Sequence, residues 1–109
     1  IHYDTKTWKL VSCLHGQVEQ VVVDKREGSL SFNKWQKFDL NYKNKNLILI
    51  PPKVGNAFFV KSDYSLYHYK LSYFGDYLDA NQQKTIKWDD KELNINWSSL
   101  DPILSERDS

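Results

Sequence analysis

The chain has 109 residues, of which 40% are hydrophobic, 27% charged and 15% aromatic, with a formal net charge of +1. That length allows one small domain with a modest core. A near-neutral charge without a basic block gives no support to a nucleic-acid or membrane partner, and the longest apolar runs, Val21 to Val23 and Leu47 to Ile50, fall far short of the roughly 20 residues of a membrane helix.

The chain opens Ile1-His2-Tyr3 and contains no methionine. Residue 1 is therefore not expected to be a native start; the chain was processed or begins inside a longer protein. No secretory signal is visible. Leu10-Val11-Ser12-Cys13-Leu14 is apolar and holds the single cysteine, which cannot form an internal disulfide. Cys13 reads as a buried, inert thiol, and the chain fits a reducing cytoplasm. His15-Gly16 marks a turn.

Gln17 to Asp24 reads as a strand, with Val18, Gln20 and Val22 on one face and Glu19, Val21 and Val23 on the other. Lys25 to Ser29 is a turn by composition, and Lys25 and Arg26 read as its solvated charges. Phe32 to Leu40 alternates as a second strand. Asn41 to Asn46 is a polar loop, and Leu47 to Ile50 a short buried strand ended by Pro51-Pro52. Ala57 to Lys61 and Tyr64 to Tyr73 read as further strands, followed by an irregular polar stretch from Gly75 to Lys84. Trp88 to Leu93 is expected to form one helical turn capped by Asp89 or Asp90. Short strands separated by turn signals predict an all-β sandwich or barrel in a single domain, residues 1–109. Trp35, Trp88 and Trp97 are expected to pack in the core or at an interface.

Period two places Tyr67, Tyr69, Leu71 and Tyr73 on one face of their strand. Tyr69 is then either a packed aromatic or a hydroxyl presented to a pocket. Gln20 is a polar group on an apolar face, so it is either satisfied internally or touching a ligand. Phe58 and Phe59 either line a pocket or pack. No metal is expected: His2-Tyr3-Asp4 is the nearest approach to a ligand cluster, and His15 and His68 have no matching partners. Serine-elbow, phosphate-loop and paired-cysteine motifs are absent as well.

An ordered set of segments carries a resemblance. It includes His2-Tyr3, Lys9-Leu10-Val11, Gly16-Gln17-Val18, Phe32-Asn33-Lys34-Trp35, Leu49-Ile50-Pro51-Pro52 and Tyr69-Lys70. It continues with Ile86-Lys87-Trp88-Asp89-Asp90, Ile95-Asn96-Trp97 and Leu104-Ser105-Glu106-Arg107-Asp108. In order and approximate spacing the chain resembles the C-terminal part of the dTDP-4-dehydrorhamnose 3,5-epimerases. The resemblance implies a cupin-type jelly-roll barrel with a short helical or irregular C-terminal segment. It implies a cofactor-independent isomerase of the cytoplasm, working as a homodimer on a nucleotide-linked 4-keto sugar. His2 falls on the catalytic base, Asp108 on its paired carboxylate, Lys9 on the lysine near the C4 carbonyl and Tyr69 on the general acid. Gln20, Asn56 and Phe58 fall at substrate-binding positions.

The family pattern is not kept everywhere. Gly55-Asn56-Ala57-Phe58 stands where the family carries Ala-His-Gly-Phe, so a histidine becomes Asn56, and an acidic residue becomes Gln20. These changes, with Tyr69-Lys70-Leu71 and Tyr77-Leu78-Asp79-Ala80, resemble the branch acting on GDP-4-keto-6-deoxy-heptose in capsule precursor synthesis. The family's N-terminal strands are expected to be missing, leaving exposed sheet edges. The alternative is a non-catalytic cupin that binds a sugar. A complete set of His2, Lys9, Tyr69 and Asp108 argues against it, because binding alone needs no acid–base groups.

Overall fold

The computed structural model describes residues 1–77 and 82–109. It contains β1 (His2–Tyr3), β2 (Trp8–His15), β3 (Gln17–Asp24), β4 (Trp35–Asn41), β5 (Ile48–Ile50), β6 (Val54–Val60), β7 (Leu66–Ser72) and β8 (Lys84–Thr85). A 3₁₀ helix spans Glu106–Asp108. The strands form two antiparallel sheets, ordered β4-β3-β6-β1-β8 and β5-β2-β7. The all-β expectation and the short C-terminal helical segment both hold. Leu78, Asp79 and Ala80, part of the branch resemblance, lie outside the described residues.

The five-stranded sheet has apolar cover on both faces, which explains why β3 lacks a clean polar side. Val18 faces the three-stranded sheet, in a core with Val11, Cys13, Leu40 and Ile50. Val21 and Val23 point the other way and pack with Ile1 and Leu93 beneath the C-terminal segment. All three of these β3 valines are fully buried, and burial of each contributes about 1.5–3 kcal/mol. Trp35 and Trp97 pack against this second core, and their indole N–H groups donate to the Leu93 and Trp88 carbonyls, each at 2.8 Å.

Several segments depart from expectation. β2 forms where no strand is expected, β6 begins at Val54, three residues before Ala57, and β7 runs Leu66–Ser72 within the expected Tyr64 to Tyr73. Two more depart for local reasons. The second strand starts at Trp35, three residues later than Phe32, because residues before it belong to a turn built on Asp24. The Asp24 carboxylate accepts from the Arg26 guanidinium at 2.9 and 3.0 Å, from the Arg26 backbone N–H, and from the Ser29 and Ser31 hydroxyls. Lys25 Nζ donates to Asn33 Oδ1 at 2.6 Å. The charges of this turn are therefore engaged locally. Trp88 to Leu93 forms turns without a helix, although Asp90 Oδ1 does accept from the backbone of Glu92 and Leu93.

Gly16 joins the two sheets. It has φ +80°, and a Cβ there would stand 2.4 Å from the Tyr64 carbonyl oxygen, so only glycine fits this corner.

Candidate active site

Sheet register decides which side chains share a space. Residues directly opposite across an antiparallel pair project to the same face. His2 on β1 pairs with Asn56 on β6 and with Thr85 on β8. Asn56 pairs in turn with Val22, and Phe58 with Gln20, on β3. These residues therefore lie on the inner face of the five-stranded sheet. On the facing sheet, Lys9 pairs with Ile50 and Leu71, and Val11 with Ile48 and Tyr69. Lys9, Val11, Tyr67 and Tyr69 thus project toward His2 and Asn56.

A cavity of about 310 Å³ is lined by residues of both sheets and of the C-terminal segment. His2, Lys9, Tyr69 and Asp108, the four residues assigned chemical roles, all line it. Asn56 and Phe58 line it too. Gln20 does not: it is fully buried behind the wall and makes its contacts with Asn56 and Tyr67. Tyr69 lines the cavity and remains more than half exposed, so it is not a packed core aromatic.

The C-terminal segment closes one side. Its 3₁₀ helix carries Asp108 to His2, with Asp108 Oδ1 2.6 Å from His2 Nε2. The Ser105 hydroxyl donates to Asp108 Oδ2 at 2.8 Å and holds the carboxylate from behind. Arg107 Nη2 donates to Gln83 Oε1 at 2.6 Å, tying the helix to the approach to β8. On the other side of the ring, His2 Nδ1 lies 3.0 Å from the Thr85 hydroxyl.

Electrostatics suit proton removal by the ring. Burial is the main cause that lowers the His2 pKa, with nearby positive charge, Arg107 included, acting the same way and Asp108 opposing it. The imidazole is thus neutral near pH 7 and able to accept a proton. Burial pushes the Asp108 carboxyl up, but the Ser105 hydrogen bond and the His2 charge outweigh it, and its pKa falls below the usual range. Burial also lowers the pKa of Lys9, against the attraction of Asp4.

Reading the sequence missed Thr85, Ser105 and Tyr67 as polar neighbours of the site. Ser105 and Tyr67 stood in segments already singled out. Thr85 sits on a two-residue strand that leaves no periodic signal and is found only through its pairing with His2. Among the described residues no group of three or more His, Cys, Asp or Glu side chains is placed to hold a metal.

Comparison with known proteins points in one direction. The family model described as dTDP-4-dehydrorhamnose 3,5-epimerase matches residues 1–109. The dTDP-4-dehydrorhamnose 3,5-epimerase of Shigella flexneri is 36% identical over 111 residues, covering 99% of this chain and 60% of the relative. The structure of the dTDP-6-deoxy-D-glucose-3,5-epimerase of Legionella pneumophila, in complex with dTDP-4-keto-L-rhamnose, matches with a TM-score of 0.88 and 34% identity, covering 98% of this chain and 57% of that one. A 4-keto-6-deoxy sugar epimerase from the novobiocin gene cluster of Streptomyces spheroides matches with a TM-score of 0.90 and 32% identity, covering 99% and 54%. The cupin-type architecture is shared with these enzymes. The chain spans about three fifths of the length of the curated relative from Shigella flexneri.

Proposed function

The chain belongs to the dTDP-4-dehydrorhamnose 3,5-epimerase family, and from that footing we propose that it carries the catalytic groups of an epimerase acting at C3, C5 or both of a nucleotide-linked 4-keto-6-deoxy sugar. The observation that carries this reading is the convergence of His2, Lys9, Tyr69 and Asp108 on one cavity.

Protons on carbons beside the C4 ketone become removable when charge can move onto the ketone oxygen. The lone pair of neutral His2 takes the proton, and Asp108 stabilises the imidazolium that results. Lys9 meets the enolate oxygen with a positive charge. A donor so placed is worth on the order of 10²–10³ in rate. Tyr69 projects from the opposite sheet, so it returns a proton to the face His2 does not reach. Inversion needs that second face; reprotonation by His2 alone restores the starting sugar.

The nucleotide sugar is proposed to be GDP-4-keto-6-deoxy-heptose, for capsule or surface polysaccharide precursors. The support is the pair Asn56 and Gln20, which stand where the rhamnose enzymes carry a histidine and an acid. The working unit is proposed to be a cytoplasmic homodimer, on the family resemblance; among the described residues no helix is long and apolar enough to cross a membrane.

The test is incubation with GDP- and dTDP-linked 4-keto-6-deoxy sugars in D₂O, following deuterium at C3 and C5 by NMR. Exchange and inversion are expected with the GDP-linked heptose. His2→Asn should abolish exchange, whereas Tyr69→Phe should keep exchange at one carbon and lose inversion. No uptake from any substrate would leave a sugar-binding cupin as the better description. Sedimentation reads the dimer separately.

A further inference from the structure

Three polar side chains behind and within the cavity wall form a series whose polarity can be followed outward. Gln20 is fully buried on an apolar strand face, so both ends of its amide require partners. Its Oε1 accepts from the Tyr67 phenol at 2.6 Å. Its Nε2 donates to Asn56 Oδ1 and also faces the Val21 carbonyl oxygen, 3.5 Å away. A carbonyl only accepts, so the Val21 oxygen selects the NH₂ end for that side, independently of Tyr67. With its oxygen turned toward Gln20, Asn56 has the two N–H bonds of its NH₂ left for the Tyr67 hydroxyl oxygen and for the cavity it lines.

Tyr67 is well placed to hold this order. Its ring stacks on Phe58 with centroids 3.9 Å apart and planes at 14°, which fixes where the hydroxyl points. Burial raises the Tyr67 pKa, against hydrogen bonds to Gln20 and Asn56, so the phenol keeps its proton and remains a donor.

We propose that Tyr67 and Gln20 are positioning residues that lock the Asn56 amide with its NH₂ toward the cavity, making this wall a subsite for an acceptor oxygen of the sugar. The inference rests on the epimerase reading and adds a specificity rule to it. Asn56 is directly paired with His2, so the oxygen it holds lies beside the reacting carbons, as a hydroxyl or keto oxygen. An amino substituent, cationic at neutral pH, would meet a donor and be rejected. The lock is built from neutral groups, so the polarity of the wall does not change across the working pH range. The titratable side chains that face it or share its cavity are Tyr67 and Tyr69 on β7, Lys9 and Cys13 on β2, His2 on β1, and Asp108 and Arg107 in the C-terminal segment; burial pushes the Cys13 thiol up.

Two substitutions separate this from a merely structural role. Tyr67→Phe keeps the stacked ring and removes the donor. It should raise KM about five- to tenfold with kcat little changed, the size expected for one neutral hydrogen bond. Gln20→Glu should make KM depend on pH. Ionised, the introduced carboxylate only accepts, so Asn56 turns its NH₂ inward and shows its oxygen to the cavity. Protonated, the same carboxyl group donates to Asn56 Oδ1 and restores the original order. The ratio of variant to wild-type KM should therefore be near one at low pH and rise several-fold as that carboxyl ionises; the new charge also raises the His2 pKa, and that movement is read separately on kcat. Side-chain amide NMR on the ligand-free protein reads the lock without turnover: Tyr67→Phe should move the Gln20 and Asn56 signals together, and in Gln20→Glu the Asn56 signal should titrate. A flat KM ratio, or Asn56 signals that move in neither variant, overturns the proposal. Should no 4-keto sugar be turned over, the epimerase reading falls alone, and the amide spectra still decide whether the lock exists.

Discussion

His2 Nε2 lies 2.6 Å from Asp108 Oδ1, and the Ser105 hydroxyl holds the far oxygen of the same carboxylate. A base near one end of the chain is thus oriented by an acid near the other. Asp108→Asn keeps the shape and removes the charge. The reaction should slow by on the order of 10²–10⁴, the range for losing a group that orients a catalytic histidine. The sign of the pH shift is also fixed. Asp108 raises the His2 pKa, so its removal should carry the acidic limb of kcat/KM to lower pH, starting from a wild-type value already below the ordinary 6.5 or so. Movement of that limb upward would contradict the pairing.

Thr85 holds the other side of the ring at 3.0 Å. With Nε2 turned to the carboxylate, the neutral ring carries its lone pair on Nδ1. The hydroxyl donates to that lone pair in the resting protein, gives way when Nδ1 takes the substrate's proton, and can then accept from the imidazolium. Thr85→Val should lower kcat about three- to tenfold with KM unchanged, and Thr85→Ser should restore it. Steady-state kinetics decides this. A change confined to KM would assign Thr85 to binding.

Glu19 anchors the C-terminal segment to the outer face of its sheet. It is buried, pairs with Lys37 Nζ at 2.6 Å and accepts from Ser98 N and Oγ, each at 3.0 Å. Burial opposes its ionisation, and these contacts more than compensate. Glu19→Gln should cost about 1–3 kcal/mol, because Lys37 loses its counter-charge and the segment loses a charged acceptor. Denaturant unfolding reads the loss. Ser98→Ala should cost less, since Lys37 keeps its partner.

Asp24 supports the turn before β4, and its pKa is held far below the ordinary carboxylate range, first by the Arg26 guanidinium. Arg26 is half exposed, so solvent weakens the pair, and Asp24→Asn should cost only about 1–2 kcal/mol at pH 7. The folded pKa is depressed, so the contribution is complete above the unfolded value of about 3.9 and fades as pH falls from there toward the folded pKa. Wild type and variant should converge in stability in that acid range. Equal gaps at neutral and acid pH would mean the hydroxyl and backbone contacts, and not the charge, carry the effect.

The strands that alternate were legible. Gln17–Asp24 was read to the residue, because valines recur on both faces and a basic, glycine-containing turn follows. Leu10 to Leu14 reads as apolar but not as a strand, although β2 spans Trp8–His15, since Lys9 and Ser12 break the pattern. Those residues are polar for reasons of site and burial, which period alone does not disclose. β1 and β8 have two residues each and exist only through their partners. At the site, His2, Lys9, Tyr69 and Asp108 were named from residue type and order, and the cavity gathers them. Gln20, which the resemblance puts at a substrate-binding position, lies fully buried behind the wall and is bonded to two of its residues, Asn56 and Tyr67.

Gly55 carries no chemistry, yet it sets where the chemistry happens. A Cβ at this position would stand 2.8 Å from Cγ2 of buried Ile1 and 3.5 Å from Cβ of Val23. Ile1 immediately precedes His2, so a methyl group at 55 obliges the Ile1 side chain to give way, and a larger one presses on the strand that carries the imidazole. A variant library should tolerate alanine at this position and lose activity with larger residues. An engineer widening the cavity for bulkier sugars has more room at Ile103 and Leu104, on its exposed rim, than behind the strand on which the base is hung.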